Sequence, residues 1–375
     1  MKPENVFQEK KLLFLALILL LAFSLRVFNL ADRQPGVDEE LTIRVTKSFG
    51  DALLFSNSDF YPPLSYIFMV PIISFFGAFG ARIVFALAGV LAVFLFYLLA
   101  KNFFPEREAL LSTLLFALNP LNVFYSVNLR QYIFLLVLCL AAMIAIISLL
   151  KKFSWKPLAA LCISLVLMGF INYVCWAYAV AAALFALIFL RKKDYFKKCA
   201  AGISLVFLLF ALLLPLALSQ FGNFSKSQYY AGSAFNPAIY PYALYKFVVG
   251  VNISSAIDFF PPLLLAVPLV LGLASYGLFL FWKEKSDSSK FIAFFFIVSA
   301  AILALGSLKA PMLFSFRYLF PLMPAFILFL SKGIFALKGK KAMLAAAAVL
   351  LFWLMAVAYY YSVSSMPDWN ALIGL

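Results

Sequence analysis

The sequence predicts an all-α polytopic membrane protein of about eleven transmembrane helices. Three observations carry this reading. Apolar types make up 66% of the 375 residues and charged types only 12%, and the mean hydropathy is +1.04. Soluble domains hold roughly 45–50% apolar and about 25% charged residues, so a soluble fold has nowhere to hide this surface. The apolar residues also fall in runs of the length a bilayer requires, about 20 residues each, and the Lys and Arg residues cluster between those runs.

The first run, Lys11 to Leu30, is too long for a signal-peptide core and lacks a small-residue cleavage site, so it reads as an uncleaved anchor helix. Further runs cover 83–100, 109–125, 133–150, 157–173, 174–190, 199–218, 261–282, 291–308, 318–335 and 342–361. Length alone leaves one run undecided, Pro62 to Gly80, and charge decides it. If 62–80 stays out of the bilayer and the N-terminus is cytoplasmic, 20 basic residues fall on inner loops and 10 outside; if it spans, the split is 9 and 21. Cytoplasmic loops carry the excess of Lys and Arg. The expectation is therefore a cytoplasmic N-terminus, an outer C-terminus, and 62–80 as an interfacial helix or hairpin on the outer face. The chain 1–375 reads as one transmembrane domain with no soluble domain. Its two sizeable outer loops are 31–82 and 219–260, the second rich in Tyr (Tyr229, Tyr230, Tyr240, Tyr242, Tyr245). Asn223-Phe-Ser225 and Asn252-Ile-Ser254 fit the N-glycosylation pattern.

The net charge of +15 is thus explained by orientation in the membrane, and no nucleic-acid partner is implied. The chain contains no histidine, which removes Ser-His-Asp and Cys-His catalysis, His-ligated zinc and His proton relays. Cys139, Cys162, Cys175 and Cys199 lie in or beside apolar runs without CxxC spacing, and read as small core residues. No metal site and no cofactor are expected.

The 15 acidic residues all fall outside the predicted spans, and six crowd the first outer loop: Asp32, Asp38, Glu39, Glu40, Asp51 and Asp59. Coupled transporters usually carry an ionisable group at mid-membrane depth; its absence counts against transport and favours work at the outer surface. Asp38-Glu39-Glu40 follows the turn signal Pro35-Gly36. Acids there suit the first turn of a helix, and they also suit a base that takes a proton from an acceptor hydroxyl. Arg130, Arg317, Arg82 and Lys246 supply cations on the same side. The planar fork of arginine matches phosphate with two charge-assisted hydrogen bonds. Tyr61, Tyr132 and Tyr318 are candidates for contact with a sugar or acceptor, together with Glu40.

Several segments resemble one family when taken in order. Phe23-Ser24-Leu25-Arg26-Val27-Phe28-Asn29-Leu30 followed by Gly36-Val37-Asp38-Glu39 is similar to the start of polyprenol-phosphate-sugar glycosyltransferases. These GT-C membrane enzymes include protein O-mannosyltransferases, aminoarabinose transferases and core-oligosaccharide sugar transferases. Tyr61-Pro62-Pro63-Leu64 resembles their His-Pro-Pro-like motif, and Arg82 the Arg that opens the second span. Asn119-Pro120 through Tyr125, Arg130 and Tyr132 resembles their Asn/Ser-Pro element. Arg317-Tyr318-Leu319-Phe320-Pro321 resembles a late Arg-Tyr-Leu-x-Pro, and Asp368-Trp369 a C-terminal feature. The match is dense over 20–135 and 315–325.

The resemblance implies a GT-C-like fold with juxtamembrane helices in the first loop, and inverting transfer of one sugar from a polyprenyl-phosphate-linked donor in a membrane lipid phase. The acceptor would be a hydroxyl on a glycan, lipid or protein. Asp38 would be the general base and Glu39 a supporting residue, with Arg130, Arg317, Lys246 and Arg82 on the lipid phosphate. Tyr61 departs from the family's His, so contacts at that position are not carried over. The competing readings are a lipid-linked sugar flippase and a non-catalytic subunit of a polysaccharide assembly complex. Both predict no new glycosidic bond.

Overall fold

A computed structural model describes residues 3–364 apart from Asp32, Gln34, Lys192 and the stretches 226–235, 251–260 and 311–312. Asp32, Tyr229, Tyr230, Asn252–Ser254 and Asp368–Trp369 lie outside the described residues, as do the side chains of 223–225. Among the described residues the chain is helical with no strand.

Helix α1 (Pro3–Val27) carries the first apolar run. Two short helices follow, α2 (Val37–Val45) and α3 (Phe49–Ser58), of 9 and 10 residues. Both fall short of the length a bilayer crossing needs. Ser48 opens α3 by accepting the Asp51 N–H at 3.1 Å. Next come α4 (Leu64–Ile67) and α5 (Met69–Ala100). Gly77 interrupts α5 with φ 66° and ψ 177°, a conformation open to a residue without Cβ. The undecided run 62–80 therefore ends near a glycine break, and the 83–100 segment lies on the arm beyond it.

The 109–125 segment is not one straight helix. It divides into α6 (Glu106–Leu118) and α7 (Pro120–Tyr125). Pro120 has no N–H with which to continue the α6 ladder, and Asn119 starts α7 by accepting the Asn122 N–H at 3.0 Å.

The remaining helices are α8 (Tyr132–Lys151), α9 (Trp155–Ile171), α10 (Trp176–Phe185), α11 (Phe196–Ser225), α12 (Ile239–Val249), α13 (Pro261–Lys283), α14 (Asp287–Ser307), α15 (Phe316–Leu319), α16 (Met323–Ala336) and α17 (Gly339–Ser364). Among the described residues, 8 helical stretches are long and apolar enough to cross a membrane, and Trp155–Ile171 is a shorter apolar helix. The chain is a multi-pass membrane protein. Helix α12 lies inside the predicted outer loop 219–260 and packs on α7, α13 and α15.

Backbone contact fixes one helix pair closely. A Cβ at Gly277 of α13 would collide with the Phe329 carbonyl of α16, and one at Gly333 of α16 with the Leu273 carbonyl of α13. Small residues at such crossings let helices meet without side chains between them. Gly277→Ala should lower stability by about 1–3 kcal/mol through overpacking, read as a lower thermal midpoint in detergent. Gly272→Ala is the control, because nothing lies within 4 Å of its added Cβ. All four cysteines are free: Cys139, Cys175 and Cys199 are buried, and Cys162 is half-buried.

Candidate active site

The site begins with the turn Pro35-Gly36. Gly36 takes an extended conformation as the N-cap of α2, and its N–H donates to Glu39 Oε2 at 3.2 Å. The three acids thus fall in the first turn, where the helix dipole favours them. Successive helical residues point about 100° apart, so Asp38 and Glu39 have different surroundings.

Glu39 points inward and is fully buried. Its carboxylate pairs with Arg33 Nη2 at 2.6 Å and with Arg82 Nε at 3.5 Å. It also accepts the Leu129 N–H at 3.0 Å. Arg33 Nη1 donates to the Val127 carbonyl at 2.7 Å, and Arg82 Nη1 to the Arg33 carbonyl at 2.8 Å. This buried carboxylate and two guanidiniums therefore stitch the first loop to the 126–131 loop. Burial alone would lower the pKa of Arg33, but Tyr360, Glu39 and Tyr361 outweigh it and hold it above the ordinary value.

Asp38 points the other way. Its Oδ2 lies 3.1 Å from Arg317 Nη1, and the two side chains are 45% and 43% exposed. Glu40 is exposed. One turn on, Thr42 Oγ1 donates to the Asp38 carbonyl at 2.9 Å and accepts from Arg130 Nη1 at 3.2 Å. The Arg130 guanidinium also sits 5.3 Å from the centroid of the Tyr61 ring, a cation–π arrangement. Burial works against charge on Arg130, yet Tyr132, Tyr61, Tyr66 and Asp38 raise its pKa well above the ordinary value. Arg130 and Arg317 thus meet one face of α2 a turn apart, one buried and one half open.

The three tyrosines form a buried cluster. The Tyr61 hydroxyl lies 3.0 Å from the hydroxyls of both Tyr132 and Tyr318, and Tyr178 donates to the Tyr318 carbonyl. All three rings are under 10% exposed. Tyr125 packs on Tyr132 with ring centroids 4.8 Å apart. Burial, with Tyr318 beside it, pushes the Tyr61 hydroxyl far above its usual range against the opposing pull of Arg130. A phenol held protonated donates hydrogen bonds and is no base at neutral pH. Lys246 on α12 is 2% exposed, with Nζ 5.5 Å from the Tyr242 ring centroid.

The structure brings Asp38 and Arg317 into contact and links Arg130 to the same turn through Thr42. It places Arg82 on Glu39, away from Asp38's face. Four further residues belong to this assembly. Arg33 and Thr42 lie in the loop that the sequence analysis marked as acidic, six residues before Glu39 and one helical turn after Asp38. Asp59 accepts from the Tyr66 hydroxyl. Gln220 Nε2 donates to the carbonyls of Ser56 and, at 3.3 Å, of Tyr61; no local signal exposes a contact made across 159 residues.

Comparison with known proteins places this geometry in a wider setting. Residues 62–218 match the family described as dolichyl-phosphate-mannose-protein mannosyltransferase. Among solved structures, the chain is similar to ArnT from Cupriavidus metallidurans in the apo state, with 12% identity and a TM-score of 0.57, covering 93% of this chain and 77% of that one. The same protein bound to undecaprenyl phosphate gives 15% identity and a TM-score of 0.55, with 93% and 75% covered. The Archaeoglobus fulgidus oligosaccharyltransferase in complex with Zn and sulfate gives 16% identity and a TM-score of 0.53, covering 94% of this chain. This chain spans about half the length of that enzyme, 52%. No curated protein matches the sequence significantly. Both neighbours are GT-C glycosyltransferases, and the fold of this chain is GT-C.

Proposed function

We propose that this chain is an inverting glycosyltransferase that moves a single sugar from a polyprenyl-phosphate-linked donor to an acceptor hydroxyl at the outer face of the membrane. The observation that carries the reading is the Asp38–Arg317 pair at 3.1 Å, half open to solvent. It sets a carboxylate able to take a proton and a guanidinium able to meet a phosphate within reach of one bound donor and acceptor. The family match over 62–218 and the GT-C fold support it, as does the undecaprenyl phosphate bound by the similar ArnT.

In this mechanism Asp38 takes the proton of the acceptor hydroxyl as its oxygen attacks the anomeric carbon. The bond from that carbon to the phosphate oxygen breaks, and the electron pair leaves with the polyprenyl monophosphate. Arg317 shifts from Asp38 to the phosphate, joined by Arg130 and by Lys246 from α12. Attack from the face opposite the phosphate inverts the anomeric centre. Glu39, held by Arg33 and Arg82, sets the position of the first turn of α2, so Arg82 acts on the phosphate only through that turn. Tyr61, Tyr132 and Tyr318 form the floor of the site, and Glu40 faces the acceptor. The mechanism needs no cofactor. The acceptor class is a glycan, lipid or protein hydroxyl.

The test is Arg317→Gln. A donor aimed at developing charge is worth about 2.7–4 kcal/mol, or about 10²–10³ in turnover. We expect a loss of that size in transfer from labelled polyprenyl-phosphate sugars, and weaker binding of polyprenyl monophosphate. Unchanged turnover and binding would remove Arg317 from the phosphate site.

A further inference from the structure

We propose that Arg26 is a positioning residue for this transfer reaction: it pins the end of α1 to the α6–α7 break and so sets the first outer loop, with Asp38, against the 126–131 loop, with Arg130. The proposal rests on the catalytic reading above. Arg26 lies in the last turn of α1 and is fully buried. It makes no ion pair among the described residues. Its Nη1 donates to Ala22 O at 2.9 Å and to Ala117 O at 3.4 Å, while Nε and Nη2 have no hydrogen-bond partner there.

Each contact has a local reason. Ala117 is among the last four residues of α6, whose carbonyls lack intrahelical partners, and a cation suits a helix C-terminus. The neighbouring Phe116 carbonyl, deprived by Pro120, accepts instead from Asn122 Nδ2 at 2.9 Å. Across the bundle, Gly89 of α5 opens a notch for the guanidinium. A Cβ there would sit 2.6 Å from Arg26 Nε and would also collide with Ser126 Oγ. Ser126 begins the loop whose next residues reach Arg33, Glu39 and Thr42, and its hydroxyl donates to Asn122 O at 2.6 Å. Three helices and the start of the 126–131 loop thus meet at one cation.

Stability does not explain that cation. A buried charge without a carboxylate opposes folding, and an apolar side chain of the same size would fill the space without desolvation. What the guanidinium adds is direction: it fixes one helix end to another at a defined register, upstream of both catalytic loops.

The experiment compares Arg26→Met, Arg26→Lys and wild type in liposomes with a labelled undecaprenyl-phosphate sugar. Arg26→Met should lower kcat at least about tenfold while KM for the donor and the affinity for undecaprenyl phosphate stay within about threefold. Arg26→Lys should recover most of kcat. If Arg26→Met does not fold, Gly89→Ala takes its place, since it crowds the guanidinium and keeps the charge; the same split is expected. Wild-type kcat in either variant, or a change confined to KM, overturns the proposal. Amide exchange over 33–45 and 126–131 reads the same point without turnover. It should rise at least about tenfold in Arg26→Met while α9 is unchanged, and unaltered exchange overturns the proposal. Absence of transfer by the wild-type protein would count against the glycosyltransferase reading and leave exchange to decide the role of Arg26.

Discussion

Replacing Asp38 with asparagine should abolish sugar transfer while the protein stays folded. General-base catalysis typically contributes 10²–10⁴-fold, and the amide keeps the size of the carboxylate but takes no proton. Asp38 is half exposed and its one ion pair among the described residues is with the similarly exposed Arg317, so little packing is lost. The thermal midpoint should therefore stay within a degree or two of wild type, since exposed pairs contribute little to stability. Binding of polyprenyl monophosphate should hold or strengthen, because Arg317 loses a competing carboxylate. The measurement is initial rate and product-lipid affinity on the same purified sample. Turnover near that of wild type would remove Asp38 as the base.

The neighbouring carboxylate gives the opposite pattern. Glu39→Gln strips the charge from a fully buried group and leaves Arg33 and Arg82 facing a neutral amide. Breaking a buried pair from one side typically costs about 3–5 kcal/mol, because the remaining charge is uncompensated. We expect a lower thermal midpoint and earlier proteolytic cleavage between α1 and α3. Glu39→Gln combined with Arg82→Met should cost less than the sum of the two single changes, since the second removes one of the stranded charges. Strict additivity would mean that the two side chains do not share an interaction. Asp38 and Glu39 thus differ in kind: one variant loses chemistry and keeps the fold, and the other loses the fold's local anchor.

The family resemblance already implied different roles, Asp38 as base and Glu39 as support, but the residues alone show only two acids in the same helical first turn. The difference arises because adjacent helical positions diverge by about 100°, so one carboxylate meets solvent and Arg317 and the other meets two buried arginines. The class of fold was legible, because apolar run length and basic-residue placement are set by the bilayer itself. The special status of the first loop was also legible from six acids gathered there. Arg130 and Arg317 stood out as cations on the expected outer side, and they reach one face of α2, 88 and 279 residues away in sequence from their partners Thr42 and Asp38. Tyr61 was visible as a departure from the resembled family, but not as the ring beneath Arg130, since that contact is tertiary. The break at Asn119–Pro120 was not read from the sequence, where 109–125 counted as one run although Pro120 cannot continue the helical ladder. Its consequence, a stranded Ala117 carbonyl met by Arg26, depends on a helix packing that no local pattern encodes.

The central claim is that this chain forms a glycosidic bond with inversion from a lipid monophosphate donor. The most direct measurement incubates the purified protein in liposomes with a labelled polyprenyl-phosphate sugar and an acceptor library, then assigns the anomeric configuration of the product by NMR. The account predicts a single added sugar of inverted configuration, with polyprenyl monophosphate released in equal amount. Labelled lipid crossing between leaflets with no new glycosidic bond, or a product of retained configuration, would contradict it.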